Sequence, residues 1–186
     1  MSTISDTPAS IGTQALPTSG SIVLEDNGVH YPNFCLTFTL TNARVPVTDA
    51  GASGSYGSLK LFDFVSGVVH VQACSQIYTA FAEGSALTGG AGDAVFDIGV
   101  GSVAIAAAAD GALGGATDDN IGGEIAVTLS GGTGTGTAVT SANVTLNGTV
   151  TPVDLVLNVS GTAATIDATS YIDVTGTITV QGSFVS

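Results

Sequence analysis

The stretch "NFCLTFTLTNARVPV", residues 33–47, decides the fold. Phe34, Leu36, Phe38 and Leu40 alternate with Cys35, Thr37, Thr39 and Thr41. Successive side chains of an extended chain point to opposite faces. A period of two therefore predicts a half-buried strand, apolar on one face and rich in threonine on the other. Pro46 has no amide proton to give a neighbouring strand, so it marks the strand's end or an edge position.

Downstream lies "YGSLKLFDFVSGVVHV", residues 56–71, with two strand-like runs around "VSGV". Reading Ser66-Gly67 as a hairpin tip sets a register. Phe64 then faces Val69, Phe62 faces Val71 and Lys60 faces Ala73, while Asp63 faces His70, Leu61 faces Gln72 and Leu59 faces Cys74. The register makes one face aromatic and aliphatic, with Lys60 at its far end, its stem packed and its ammonium in water. On the other face Asp63 and His70 form a cross-strand pair, worth roughly 0.2–1 kcal/mol. An Asp–His pair is two-thirds of a catalytic triad, but no nucleophile can be nominated, so the structural reading is preferred. Lys60 follows leucine and not a glycine-rich loop, which excludes a phosphate-binding loop.

The rest of the chain continues in the same manner. "AVFDIGVGSVAIAAAA" and "EIAVTLS" read as strands, the alanine run also allowing one helical turn. "DAGASGSYG", "EGSALTGGAGD" and "DGALGGATDDNIGG" read as loops, and "GGTGTGT" as a turn or flexible strand. Gly148, Gly161 and Gly176 each precede Thr in what reads as a turn before a β-branched run, at unequal intervals; this is recurrent hairpin chemistry, not a solenoid repeat. Sustained helical periodicity is missing. The expected fold is one all-β domain over residues 21–186, an antiparallel β-sandwich or barrel, jelly-roll-like. Residues 1–20, polar and rich in Ser, Thr and Pro, form an extended N-terminal arm that is either a strap on a partner or an ordinary loose terminus.

Composition narrows function. Fifteen acidic residues against two basic ones give a net charge of −13, and charged residues are only 9% of the chain. Such a surface repels phosphate backbones and anionic lipid heads, so no nucleic-acid or membrane partner is expected, while a basic surface is attracted. The N-terminus lacks the basic and apolar regions of a secretion signal. The longest apolar run, Ile98 to Ala109, falls short of the ~20 residues of a membrane span. These features predict a soluble chain made in the cytoplasm.

Candidate chemistry is sparse. His30 and His70 have no metal-ligand spacing. Asp118, Asp119 and Glu124 are weighed as an adventitious calcium site against solvated loop carboxylates, and the latter is preferred. Cys35 and Cys74 read as partly buried thiols in preference to a disulfide. Asn143, Asn147 and Asn158 begin Asn-x-Ser/Thr triplets and read as turn residues. The threonine groups at Thr37 and Thr39, Thr133 to Thr137 and Thr175 to Thr179 are too irregularly spaced for an ice-binding array and read as a solvated sheet face. No catalytic, cofactor-binding or metal residue is nominated, and an enzyme is not expected.

Together "LTFTLTNARVPVTDA", "YGSLKLFDF" and the closing "DLVLNVSG" and "IDVTGTITV" resemble a group of small structural proteins encoded in the virion-gene regions of tailed phages, including phages of aquatic bacteria. The resemblance runs from about Thr37 to Val180 and is strongest over residues 36–71. The chain departs from that pattern in having Phe62 where tyrosine is usual and in ending "QGSFVS" instead of an aromatic tail. The resemblance implies a head decoration, or cement, protein on the outer surface of the capsid in the virion. Its partners would be the major capsid protein and itself, as a homotrimer. A tail or fibre component is the alternative within a virion, and an adhesin or carbohydrate-binding module the alternative outside one.

Overall fold

A computed structural model describes residues 12–14, 17, 19–26, 33–51, 54–83, 94–107, 113, 117–129, 133–140, 144–151, 153–161 and 170–185. Among these residues the chain is almost entirely strand, with no α-helix. The strands are β1 (Gly12–Gln14), β2 (Ser21–Asp26), β3 (Asn33–Asp49), β4 (Ser55–Phe64), β5 (Val68–Glu83), β6 (Ala94–Gly101), β7 (Gly123–Leu129), β8 (Thr133–Thr140), β9 (Val144–Asn147), β10 (Asp154–Gly161) and β11 (Ser170–Val185). Each of the ladders joining them is antiparallel. The path runs β7-β6-β10-β4-β3-β11-β5-β8, with β1 on β4, β2 on β3 and β9 on β5. This one sheet curls around a common core as an all-β barrel or sandwich, as the alternation predicts.

The long strands change inner face at bulges, where one extra residue bends the strand. In β3 the inner positions run Phe34, Leu36, Phe38, Leu40 and then Ala43, Val45, Val47. The extra residue sits at Thr41–Asn42, where Asn42 takes φ 47° and its amide donates to Thr175 Oγ1 at 3.0 Å. Strand β3 therefore continues through Pro46, which lies between the segment paired with β2 (Leu36–Thr41) and the segment paired with β4 (Val47–Asp49). Gly176 sits within β11 at a register shift and not in a turn, as its Gly-Thr signal suggests. A Cβ there would strike the Ile77 carbonyl oxygen, so the close approach of β5 requires glycine.

The hairpin expected over residues 56–71 does not form, and Asp63 and His70 are not cross-strand neighbours. Strand β4 pairs with β10, β3 and β1, whereas β5 pairs with β11, β8 and β9. Residues 65–67 carry the chain over the rim of the barrel. Gly67 N donates to Gly148 O at 3.3 Å, and Gly148 N to Gly67 O at 2.7 Å. The second rim crossing, from β9 to β10, thus satisfies the first. Phe62, Phe64, Val69 and Val71 do all point inward, as the alternation demands. They meet across the core and not within one ladder, because burying both apolar faces removes more surface from water than a lone hairpin can.

Phe34, Phe38, Phe62, Phe64 and Phe184 form the centre of that core. Phe62 and Phe64 stack edge to face at 5.0 Å, and Phe34 lies 5.5 Å from Phe64 and 5.9 Å from Phe184. Of the expected N-terminal arm, residues 12–14, 17, 19 and 20 are described; Gly12–Gln14 pairs with Phe62–Phe64 of its own chain, and Ser19 O accepts from Arg44 N at 3.0 Å. Residues 1–11 lie outside the described residues, as do His30, Asn143 and most of the loop over 83–93.

Candidate interaction surface

Lys60 lies on the outer face of β4. Leu155 stands opposite Phe62 and Val156 opposite Lys60, so Leu61 is the extra residue of a bulge. That bulge turns Phe62 and Phe64 inward and leaves Lys60 on the same side as Asp63. The ammonium lies 3.1 Å from Asp63 Oδ2 and 2.8 Å from Asp154 Oδ1. Burial pulls its pKa down, but the two carboxylates outweigh that and the net shift is upward. Asp63 and Asp154 are direct cross-strand partners, an arrangement of like charges that is unfavourable without a cation between them. His70 is elsewhere: it stands opposite Thr145 and Ser183, with Nδ1 3.0 Å from Thr145 Oγ1.

Arg44, the other cation, donates to both carboxylate oxygens of Asp173 at 2.8 and 2.9 Å and lies 3.4 Å from the Tyr171 ring centroid. The hydrogen bond to Asp173 holds its pKa above the usual arginine value. The planar fork suits this bidentate, stacked site. Both basic residues of the chain are thus engaged with three of its own carboxylates. Among the described residues, the remaining carboxylates form no salt bridge with either cation.

One concentration of that negative charge lies on the flank formed by β6, β7 and the turn before β7. Burial, then Glu124, pushes the Asp97 carboxyl up to about 6. Burial and Glu124 raise Asp119 as well. Glu124 accepts a hydrogen bond from Leu113 N at 3.0 Å. Of the three residues weighed as a calcium site, Asp118 is buried, Asp119 is half-buried and Glu124, exposed, lies in β7 with its carboxylate bonded to Leu113 N, so none is a freely solvated loop carboxylate. Among the described residues no group of three or more His, Cys, Asp or Glu side chains is placed to hold a metal ion.

Two buried amides position this flank. Asn158, read from sequence as a turn residue, is mid-strand in β10 and fully buried. Its Nδ2 donates to Val103 O at 2.9 Å and Asp118 O at 2.7 Å, and its Oδ1 accepts from Ser58 Oγ at 2.7 Å and Ile105 N at 3.1 Å. It pins both irregular segments, 102–107 and 117–121, onto the outer side of the sheet. Gln76 acts likewise where the sheet's two ends approach: Nε2 donates to Gly122 O and Gly123 O, and Oε1 accepts from the buried Tyr78 hydroxyl at 2.7 Å. Asn147 does behave as its triplet suggests, its Oδ1 accepting from Thr149 N at 3.1 Å within a turn.

Cys35 and Cys74 are free thiols. Cys74 points into the core, where burial raises its pKa to about 12, while Cys35 takes an outer position of β3. A shallow groove of about 440 Å³ lies between β9 and residues 102, 103, 117 and 120, lined by uncharged side chains such as Ser102, Asn120, Thr145 and Asn147.

The outer face of β2, β3, β11 and β5 differs from the acidic flank. Val23, Thr39, Thr177 and Ile77 stand in one cross-strand row, and Glu25, Thr37, Thr179 and Ser75 in the next. Thr37 Oγ1 and Thr179 Oγ1 are 3.1 Å apart. The threonine groups were visible in sequence, but β3 and β11 are far apart along the chain, so their registration was not. Threonine still fills only the two middle strands of the face. No family model, curated protein or solved structure matches the chain.

Proposed function

We propose that this chain is a head decoration protein of a tailed phage, binding the outer surface of the capsid as a homotrimer and stabilising it. The major capsid protein is its partner. The observation that carries the reading is the consumption of Arg44 and Lys60 by Asp173, Asp63 and Asp154 of the same chain. The outward field is therefore negative, complementary to a basic capsid surface, and repetition over a symmetric lattice turns weak contacts into avidity. The motifs over residues 36–71 that resemble phage structural proteins support the same reading; they lie in β3, β4 and β5, the frame of the barrel.

Cryo-electron microscopy of gradient-purified particles tests it. The expected result is density for the chain at repeating positions on the outside of the head. Density confined to the tail, or particles without the protein, would overturn the assignment. Binding of the purified protein to expanded heads should weaken as salt rises.

A further inference from the structure

We propose that the outer face of β2, β3, β11 and β5 seats a second copy of this chain, packed face to face about a two-fold axis that runs along the strands between β3 and β11. The inference goes beyond the proposed head role and does not depend on it. Between Cys35 and Thr41 of β3, and over the facing parts of the other three strands, Glu25 is the only charged residue among the described residues directed outward. Two molecules of net charge −13 repel each other. An uncharged face is where they approach at least electrostatic cost, and a basic partner has better complements elsewhere, at Asp97, Asp119 and Glu124. The face also carries two exposed large apolar side chains, Val23 at 52% and Ile77 at 44% exposure.

Those two residues lie in one row, with Thr39 and Thr177 between them, and the row runs on past Ile77 to Thr137 of β8. A two-fold axis along the strands, between β3 and β11, has Val23 and Ile77 at equal distances on either side of it. Val23 of each copy then covers Ile77 of the other, and Thr39 covers Thr177. The face is self-complementary, as an isologous contact requires. Four strands spaced about 4.8 Å apart and about 20 Å long present about 400 Å². This is half of the ~800 Å² per partner of a standard stable interface, so the contact is weak and reversible.

Sedimentation over a hundredfold range of concentration, at low and high salt, tests the proposal. The expected result is a reversible doubling of mass that strengthens with salt, because salt screens the repulsion between copies. Binding to capsid through charge weakens with salt, so failure of one reading is distinguishable from failure of the other. Ile77→Lys and Val23→Glu each weaken the doubling by at least about tenfold. Mixing the two variants restores it, since the introduced lysine of one copy then meets the introduced glutamate of the other. Both positions are exposed, and unchanged circular dichroism confirms that the variants fold. A mass that never doubles, doubling unaffected by either substitution, or a mixture no stronger than its components overturns the proposal.

Discussion

The β3–β11–β5 half of the barrel and the β6–β10–β7 flank are held by different physics. In the first, strands of 17, 16 and 16 residues run side by side, with an apolar inner face and an outer face rich in hydroxyl side chains that also carries the Arg44–Asp173 pair. Alternation and the continuous ladder suffice. In the flank the strands have 7 or 8 residues, and β10 is buried on both sides, beneath the core and beneath the segments 102–107 and 117–121. Irregular backbone laid over a sheet brings polar groups out of water that no ladder satisfies. Asn158 and Gln76 satisfy several of them, and backbone bonds such as Ser102 N to Thr117 O and Ile121 N to Val100 O satisfy others. The first half spreads its stability over many apolar contacts, while the flank concentrates it in a few buried amides.

The largest effect should come from the apolar half. Phe38 is fully buried and its ring lies 6.2 Å from that of Phe62. Phe38→Ala should cost about 3–5 kcal/mol in urea denaturation. The loss should be global, with every strand's amides exchanging faster. A change restricted to β3 would break the comparison, because it would show that the half is not one cooperative unit.

The flank should respond locally. Asn158→Leu preserves volume but takes the side-chain amide from Val103 O and Asp118 O and leaves Ile105 N to Ser58 Oγ alone, a loss of about 2–3 kcal/mol. Hydrogen exchange should accelerate over 102–107 and 117–121 while the β3–β11 ladder stays protected. Faster exchange throughout the barrel would mean that the flank and the long strands unfold together.

The same contrast sets what was legible beforehand. The row Phe34, Leu36, Phe38, Leu40 announces a half-buried strand because one residue in two must face the core. Nothing local says which strand will be its neighbour. "VSG" has the chemistry of a hairpin tip, yet the hydrogen bonds of Gly67 go to Gly148, far along the chain, while Phe62 and Val71 are both buried in the shared core. Bulges erase the pattern where they fall: one extra residue at Leu61 moves Lys60 from the expected apolar face to the other. Asn158 begins the same kind of triplet as Asn147, and only the segments it binds, distant in sequence, distinguish a buried hub from a turn residue. The paired threonines of β3 and β11 were likewise visible as residues but not as a surface.

The acidic flank should give a smaller, pH-dependent effect. Asp97 titrates at about 6 in the folded chain against 3.8 in an ordinary carboxyl. Between those values the native state binds more protons than the unfolded one, so stability rises as pH falls through this window. Asp119, also raised, contributes in the same direction. Because Asp97 is half-exposed, solvent screening limits its share to less than about 1 kcal/mol. Thermal melts should show a gain in Tm from pH 7 to pH 5 that shrinks in Asp97→Asn. An equal gain in the variant would assign the effect to other carboxylates.

The smallest effect sharpens the comparison most, since it lies on β4, where the two halves meet. Lys60 separates Asp63 from Asp154, carboxylates directly opposite each other on β4 and β10. Lys60→Met removes the cation but keeps the stem, and an exposed pair of this kind is worth up to about 1 kcal/mol. If repulsion between the carboxylates is the main loss, adding Asp63→Asn should recover most of it, because a neutral amide can face Asp154. If the ion pairs themselves are the main gain, the double variant should be no more stable than Lys60→Met alone. Chemical denaturation at low salt separates the two results. We expect recovery, because Lys60 is placed where the two strands' own register would otherwise set like charges against each other.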